Sequence, residues 1–358
     1  MIKLPFSNIS SISAAYNSAW EAPSNIALVK YWGKKGVQLP INPSLSMTLK
    51  NAATQTSVKI IPSEKRDITF FFEGQKKPEF IPKIDQFLNR IQEFCPWVDR
   101  ADFLIKSKNT FPHSAGIASS ASSMAALALA IADIDEQLES EKSGADFYHK
   151  ASFLARLASG SASRSVFEGF SMWGRHEKFP ECNDDFAVSY AAIHPVFDQF
   201  HDDVLITDSK PKAVSSSAGH ELMNSHPFLD GRIRQAKDNF LKLSENLRNG
   251  DLQSFIEITE NEALTLHALM MSSEKSFSLL KPETLAIIEA VRNYRKQSDV
   301  PVCFTLDAGP NVHLLYPNEN KEQVQKFVKN ELLPFCENNY YLEDMRGSGP
   351  KKLESYDA

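Results

Sequence analysis

The sequence predicts an α+β fold, because its strand patterns and its helical patterns are grouped along the chain instead of alternating. Strand-like patterns dominate residues 44–72 and 101–108, whereas three long helical patterns follow one another between residues 227 and 297. The chain has 358 residues, which is enough for one large domain or two of ordinary size. We therefore expect an α+β arrangement without strict βαβ alternation, in one large domain or in two.

The first half of the chain is predicted to contain mainly strands. Residues 1–20 form a polar extension, and an apolar segment between Pro23 and Gly33 indicates a strand followed by a loop. Other strands are predicted over 44–49, 54–61, 68–72, 101–108 and 186–193, with a turn at residues 73–74. Helices are predicted over 80–95 and 148–159.

A turn-rich segment over 194–203 indicates the domain boundary, so we assign 21–197 to the first domain and 198–350 to the second. The second domain is predicted to contain strands over 204–207, 302–306 and 312–316 and helices over 227–249, 252–271, 282–297 and 321–330. Asp251 is the expected N-cap of the helix that starts at residue 252. Residues 351–358 are expected to form a flexible tail.

Composition and charge exclude several classes of protein. Hydrophobic residues make up 42% of the chain and charged residues 23%, and the net charge of −6 gives no polybasic signature of a partner such as nucleic acid or an anionic membrane. The longest apolar run, 124–134, is too short to span a bilayer, and we expect no targeting segment. The four cysteines are widely spaced and form no CxxC motif. This favours reduced structural thiols in a cytoplasmic protein.

The stretch 109–123 has two possible interpretations. It reads as a turn-prone loop that enters a helix near Ala115 or Gly116, and the first turn of a helix offers unpaired N–H groups and a positive dipole end to a phosphate. Hydroxyl groups of Ser119, Ser120, Ser122 and Ser123 would add donors and potential Mg²⁺ ligands. The alternative is a buried Ala/Ser-rich helix packed closely against a sheet.

Five other residues are also open to more than one interpretation. Lys30 and Lys34 beside two aromatic residues form either an anion pocket or a basic strand end, and Arg164 among small residues is either a carboxylate clamp or a surface arginine. Asp307, at the end of a predicted strand, is either a directed acid or the cap of a turn. His267 lies in an otherwise apolar helical pattern, which favours a packed core residue over a ligand.

Four motifs in this order resemble those of the mevalonate diphosphate decarboxylases, a family of the GHMP kinase superfamily. They are NIALVKYWGKK at 25–35, Pro112–Ser122 as the family's ATP phosphate loop, SGSASRS at 159–165 and DAGPN at 307–311. The loop alone indicates only the superfamily, and the other three motifs are specific. Ile117 and Ser163 replace the leucine and cysteine that are usual in the family.

The resemblance implies a two-domain α+β fold, with an N-terminal domain like ribosomal protein S5 domain 2, a ferredoxin-like C-terminal domain and the active site in the cleft between them. It implies a homodimer that uses ATP and Mg²⁺ to convert (R)-5-diphosphomevalonate to isopentenyl diphosphate, ADP, phosphate and CO₂ after phosphorylating its 3-hydroxyl. The alternatives are a mevalonate 3-kinase, a decarboxylase acting on the 5-monophosphate and a catalytically silent binding protein.

Carried over position by position, the resemblance also implies the residues of the site. Asp307 would orient or deprotonate the 3-hydroxyl, Lys30 would keep Asp307 ionised, and Arg164 would hold the substrate carboxylate. The implied substrate contacts are Tyr31, Lys34, Ser159, Ser161, Arg164 and Ser216. The implied ATP phosphate contacts are Pro112, Ser114, Ala115, Gly116, Ala118, Ser119, Ser120 and Ser122, with Ser119 and Ser120 also nearest to Mg²⁺.

Besides the stretch 109–123, the chain has a second Ser-rich loop over residues 212–220, and at two positions in it the sequence differs from the family pattern. Some bacterial relatives carry an arginine directly after the serine that corresponds to Ser216, whereas this chain has Ser217, so another cation must supply that charge. His220 replaces a methionine that is common in the family.

Overall fold

The computed structural model describes residues 4–111, 119–139, 147–210 and 216–354, without the side chains of Ser216 and Ser217. Its strands are β1 Tyr16–Val29, β2 Lys34–Lys35, β3 Leu39–Pro40, β4 Ser44–Pro62, β5 Ile68–Phe72, β6 Gln75–Lys76, β7 Ala101–Asn109, β8 Phe170–Trp173, β9 Val188–Tyr190, β10 Phe200–Leu205, β11 Cys303–Leu306, β12 Val312–Pro317, β13 Tyr341–Leu342 and β14 Lys351–Lys352. Its α-helices are α1 Ile81–Ile91, α2 Ser119–Leu138, α3 Phe147–Ala158, α4 Ser216–Glu221, α5 Leu229–Asn249, α6 Leu252–Met271, α7 Pro282–Ser298 and α8 Lys321–Phe327.

Two sheets organise the molecule, as the α+β prediction requires. The larger sheet has the strand order β14-β1-β4-β7-β5-β6, with β8 paired to β4 and β9 paired to β8. Among its described strand pairs, only β5–β7 is parallel. The smaller sheet is antiparallel in the order β11-β12-β10-β13. The Ala-rich helix α2 packs on β1 and β4, while α6 and α7 pack on β11. Each sheet therefore has its own helical layer, and the ends of β1 and β11 meet between them.

The predicted break between strands 44–49 and 54–61 is wrong, because β4 runs without interruption from Ser44 to Pro62. At its middle, the N–H groups of Lys50, Asn51 and Ala52 donate to the carboxylate of Asp344, at 2.7–2.8 Å. This long-range contact supplies the acceptor for three successive N–H groups. A turn is therefore unnecessary, and local sequence does not reveal this.

Both chain ends contribute to the larger sheet. Tyr16–Trp20, inside the segment assigned to the N-terminal extension, already belongs to β1 and pairs with β4. Ahead of it, the Ser7 N–H donates to the buried carboxylate of Asp135 at 3.1 Å. At the other end, Lys351 and Lys352 pair with Glu21 and Trp20, so the predicted flexible tail is wrong for these two residues.

The helices of the second half agree closely with the prediction. Helix α6 spans Leu252–Met271, and the Asp251 side chain accepts from the Ser254 N–H at 3.0 Å, as expected for an N-cap. All four cysteines are buried free thiols. No helix in the described ranges is long and apolar enough to cross a bilayer.

Candidate active site

The centre of the site is an ion pair that joins the two sheets. Lys30 follows the end of β1 and Asp307 follows the end of β11, and their Nζ and Oδ1 atoms lie 3.4 Å apart. The Lys30 side chain is 2% exposed and that of Asp307 is 27% exposed. Burial lowers the pKa of Lys30, and the nearby charges of Asp307 and Glu262 counteract that shift. The carboxylate of Asp307 thus faces open space while its cation is buried behind it.

The main chain of Lys30 is held from both sides by a second buried ion pair. The Lys30 N–H donates to Glu262 Oε2 at 2.8 Å, and its carbonyl accepts from Arg232 Nη2 at 3.0 Å. Arg232 and Glu262 bond each other through two contacts of 2.7 Å, and their side chains are 1% and 0% exposed. Because α5 carries Arg232 and α6 carries Glu262, these helices determine where the lysine stands.

Arg164 is a buried cation with one face left for a ligand. It lies in the 3₁₀ turn Gly160–Val166, where Nη1 donates to Ser44 Oγ at 2.5 Å and Nε lies 3.5 Å from Asn25 Oδ1. Burial lowers its pKa to about 10, which Asp307 partly opposes, so the guanidinium stays protonated at neutral pH. Among the described residues it forms no salt bridge.

Tyr31 and Lys34 extend this polar wall. The Tyr31 hydroxyl is buried without a hydrogen-bond partner in the described part of the chain. A Cβ at Gly160 would lie 2.6 Å from this oxygen, so only glycine leaves room for it. Lys34 is half-buried and makes no ion pair with a described residue. Both side chains therefore have polar capacity available for an anion.

A cavity of about 330 Å³ brings these groups together. Among the sequence-predicted residues, its lining contains Lys30, Tyr31, Lys34, Ser120, Ser159, Ser161, Arg164 and Asp307. Among the described residues, its charged lining consists of four cations and one carboxylate, since Lys83 joins the three predicted cations. Such a wall favours a ligand with several negative charges. In the part of the chain that the structure describes, this is the geometry of an anion cleft with one acid, Asp307, at its wall.

A second cavity, of about 210 Å³, adjoins the first at the start of α2. Ser119 and Ser120 border it together with the aromatic side chains of Phe70, Phe72 and Phe80. Lys83 lines both cavities, and its Nζ donates to Ser120 Oγ at 2.8 Å. The structure thus places an apolar chamber and a cation beside the predicted phosphate loop.

The rest of the predicted phosphate loop is described only in part. Pro112, Ser114, Ala115, Gly116 and Ala118 lie outside the described residues, as does the side chain of Ser216. Ser122 does not border either cavity. Its side chain is fully buried and its hydroxyl lies 2.7 Å from Thr54 Oγ1, so it joins α2 to β4. The packed-helix interpretation therefore holds for Ser122.

Several residues of the site escaped the sequence interpretation. Asn25 and Ser44 contact the Arg164 side chain. Both lie in segments that the sequence analysis discusses, but the sequence does not show that their side chains point towards Arg164. Glu262 is one of three glutamates in the helical pattern 252–271, and nothing in the sequence distinguishes it from Glu257 and Glu260. His267 is buried, as predicted, and its Nε2 lies 3.1 Å from the Asp307 carbonyl oxygen, so it packs directly beneath the acid.

Comparisons with known proteins agree with this geometry. Residues 22–187 match the diphosphomevalonate decarboxylase-like N-terminal domain, and residues 204–355 match the mevalonate 5-diphosphate decarboxylase C-terminal domain. The diphosphomevalonate decarboxylase of Ganoderma lucidum is 29% identical over 338 residues, covering 88% of this chain and 82% of the relative.

Solved structures of mevalonate diphosphate decarboxylases are also similar to this chain. The mevalonate diphosphate decarboxylase of Staphylococcus aureus has a TM-score of 0.82 and 29% identity, covering 95% of this chain and 98% of its own. An enzyme abbreviated MDDEF, solved in complex with MVAPP, AMPPCP and magnesium, has a TM-score of 0.82 and 29% identity, with 96% of this chain and 100% of its own covered. The two sheets thus correspond to the two domains of a GHMP-type fold.

Proposed function

The chain belongs to the diphosphomevalonate decarboxylase family, and from that premise we propose the reaction that its cleft performs. It decarboxylates (R)-5-diphosphomevalonate in an ATP-dependent reaction that yields isopentenyl diphosphate, ADP, phosphate and CO₂. The observation that carries this assignment is the cavity with four cations and one carboxylate. A substrate with a diphosphate at one end and a carboxylate at the other matches that charge pattern.

The two ends of the substrate have separate partners in this proposal. Arg164 binds the C1 carboxylate, because a planar guanidinium offers two parallel charge-assisted hydrogen bonds. Lys34, the Tyr31 hydroxyl, Ser159 and Ser161 face the diphosphate and the oxygens next to it. Ser216, at the start of α4, is retained as a further diphosphate contact. The tertiary hydroxyl then lies between these ends, beside Asp307.

In the first step, the substrate 3-oxygen forms a bond to the γ-phosphorus of ATP, the bond to the ADP oxygen breaks, and the hydroxyl proton passes to Asp307. A tertiary alcohol is too weak an acid to be deprotonated before attack, so the proton moves late in a loose phosphoryl transfer. Lys30, 3.4 Å from Asp307 Oδ1, holds the carboxylate ionised and in place.

In the second step, the C3–O bond breaks and phosphate departs, which leaves positive charge at C3. The C1–C2 bond then breaks, its electron pair forms the C2–C3 double bond, and CO₂ leaves the guanidinium of Arg164. Burial keeps the dipoles around Arg164 fixed and excludes bulk water, which favours this charge redistribution.

ATP is proposed to lie across the junction of the two cavities. Its purine fits the chamber of Phe70, Phe72 and Phe80, and its phosphates meet Lys83, Ser119 and Ser120. Ser119 and Ser120, whose side chains line this chamber, would offer hydroxyl ligands to Mg²⁺, and the ion would supply positive charge to the phosphates when bound. Lys83 is a cation that the sequence interpretation did not assign.

Truncation of an aromatic side chain that lines this chamber tests the proposed position of the ATP purine. We expect Phe80→Ala to raise the KM for ATP about tenfold, because the purine loses buried apolar contact. The KM for 5-diphosphomevalonate should stay within about twofold of the wild-type value, which serves as the internal control. Equal changes in both KM values would contradict the placement of the purine.

The carboxylate clamp has its own test. We expect Arg164→Met to lower kcat at least about 100-fold, because a carboxylate displaced by about 1 Å no longer leaves along the productive direction. Since Ser44 and Asn25 also lose their partner, a thermal melt of the variant separates this effect from misfolding. A folded variant with kcat within tenfold of wild type would remove Arg164 from the reaction.

The function itself is tested by incubation with ATP, Mg²⁺ and each of mevalonate, its 5-phosphate and its 5-diphosphate, with ADP and CO₂ measured in parallel. We expect ADP and CO₂ in equal amounts from the 5-diphosphate. ADP without CO₂ would identify a kinase, CO₂ from the 5-phosphate alone would identify a monophosphate decarboxylase, and no product from any substrate would support a silent binding protein.

We also propose domain limits of 21–197 and 198–350, a cytoplasmic location and a homodimeric assembly. The second sheet begins with β10 at Phe200, which supports a boundary just before it. Four buried free thiols are typical of a reducing compartment. Light scattering coupled to size-exclusion chromatography measures the assembly directly.

A further inference from the structure

His220 is a polar residue of the cleft that the proposed reaction does not yet use. It lies in α4 and borders the 330 Å³ cavity together with Lys34 and Tyr31. Its ring centroid lies 4.4 Å from that of Tyr31 and 4.8 Å from that of Trp32. The imidazole is thus packed against two aromatic rings at the edge of the anion cleft.

The backbone next to His220 packs closely against Trp32. A Cβ at Gly219 would lie 2.4 Å from the Trp32 ring, so α4 approaches the indole more closely than any other residue type allows. The Gly33 N–H donates to His220 Nδ1 at 2.9 Å. Two contacts therefore join α4 to the segment that carries Tyr31 and Lys34.

The hydrogen bond from Gly33 determines the tautomer of the imidazole. Because Nδ1 accepts a hydrogen bond from the Gly33 N–H, the neutral ring carries its own hydrogen on Nε2. Burial, with smaller contributions from the charges of Lys34 and Arg164, lowers the pKa of His220 to about 3. At neutral pH the ring is therefore uncharged and presents an Nε2–H donor.

This donor is available to a ligand. His220 Nε2 makes no hydrogen bond with any residue in the described ranges. An N–H group at the wall of a cavity can form a hydrogen bond with an acceptor on a bound ligand. Such a bond is stronger when the acceptor is charged than when it is neutral. A phosphate oxygen, drawn in by Lys34, is such an acceptor.

We propose that the neutral imidazole of His220 donates its Nε2–H to an oxygen of the substrate's diphosphate and thereby contributes to substrate affinity. The proposal rests on the proposed function, since it takes the diphosphate of that substrate as its ligand. It adds an uncharged donor to the cations that bind this end of the molecule. His220 acts on binding, not on the transfer of the phosphoryl group.

Two substitutions distinguish the contribution of the Nε2 donor from that of the Nδ1 acceptor. In His220→Asn, the amide oxygen can still accept from Gly33, but no donor reaches the Nε2 position. In His220→Gln, the longer amide can place a donor there, but the Gly33 acceptor is lost. We expect the Asn variant to raise the KM for 5-diphosphomevalonate about 10- to 100-fold, with kcat and the KM for ATP within about threefold of wild type.

The Gln variant is expected to keep the KM for 5-diphosphomevalonate within about threefold of wild type. The reverse pattern, with the Gln variant impaired and the Asn variant normal, would overturn the proposal and show that His220 acts only by holding Gly33. A KM changed in neither variant would overturn it as well. Thermal melts of both variants exclude unfolding as the cause of a raised KM.

The same measurements on the wild-type protein distinguish the failure of this proposal from failure of the proposed function. Titration calorimetry with 5-diphosphomevalonate measures binding without turnover. A wild-type chain that neither binds nor converts the diphosphate overturns the proposed function and this contact together. A wild type that is active, beside an Asn variant of unchanged KM and Kd, overturns the contact alone.

Discussion

Replacing Asp307 by asparagine is expected to lower kcat at least about 10³-fold while leaving the KM for 5-diphosphomevalonate nearly unchanged, a loss of roughly 4 kcal/mol of transition-state stabilisation. The amide keeps the size of the carboxylate but cannot take the hydroxyl proton. Affinity is retained because Arg164, Lys34 and Tyr31, which hold the charged ends of the substrate, are untouched. Steady-state measurement of ADP release gives both constants.

A matched control for this variant is Asp198→Asn, which removes the same charge from an exposed side chain 3.5 Å from Arg346. We expect the control to keep wild-type kcat. A single-turnover experiment on Asp307→Asn should show that phosphoryl transfer itself is slowed. A kcat within tenfold of wild type would remove Asp307 from the chemistry.

The second large effect concerns stability. We expect Glu262→Gln to lower the free energy of unfolding by about 3–5 kcal/mol, because it leaves the buried charge of Arg232 without its partner. The Lys30 N–H also loses a charged acceptor, so activity should fall even where the variant is folded. Urea unfolding followed by circular dichroism measures the first effect.

Glu79→Gln is the matched control, because its partner Lys77 lies 3.8 Å away and its own side chain is 59% exposed. We expect a change of less than about 1 kcal/mol there. A similar loss in both variants would contradict the role assigned to the buried pair.

The pH dependence of stability offers a further check on the same variant. Burial alone would raise the pKa of Glu262, but Arg232 and the hydrogen bonds it accepts hold that pKa below its usual value. A carboxylate with a depressed pKa stabilises the fold above its unfolded-state pKa and loses that contribution as the pH falls through the folded-state value. Acidification should therefore reduce the stability advantage of the wild type over Glu262→Gln.

Helices with local signals could be predicted from the sequence, whereas contacts between distant segments could not. Helix α6 begins and ends at the predicted residues, because a capping aspartate and an apolar pattern define it locally. Strand β4 was predicted as two strands, because the carboxylate that supports its middle lies 292 residues or more away along the chain. The pairing of Lys351 and Lys352 with β1 is non-local in the same way.

The same distinction applies to the site. Lys30, Arg164 and Asp307 stand in recognisable motifs, and the structure brings all three to one cavity. The Arg232–Glu262 pair and Lys83 belong to helices that carry no motif, so only the fold reveals that they reach the site. Ser122 shows the opposite case, because a residue inside a motif can face the core.

The central claim is that one cleft phosphorylates the 3-hydroxyl and then expels that same oxygen as phosphate while CO₂ departs. The most direct measurement uses 5-diphosphomevalonate labelled with ¹⁸O at the 3-hydroxyl, incubated with ATP and Mg²⁺, with the products analysed by mass spectrometry. The mechanism predicts that the label appears in the inorganic phosphate, in an amount equal to the CO₂ released. Label found in water, or retained in the organic product after loss of CO₂, would contradict it.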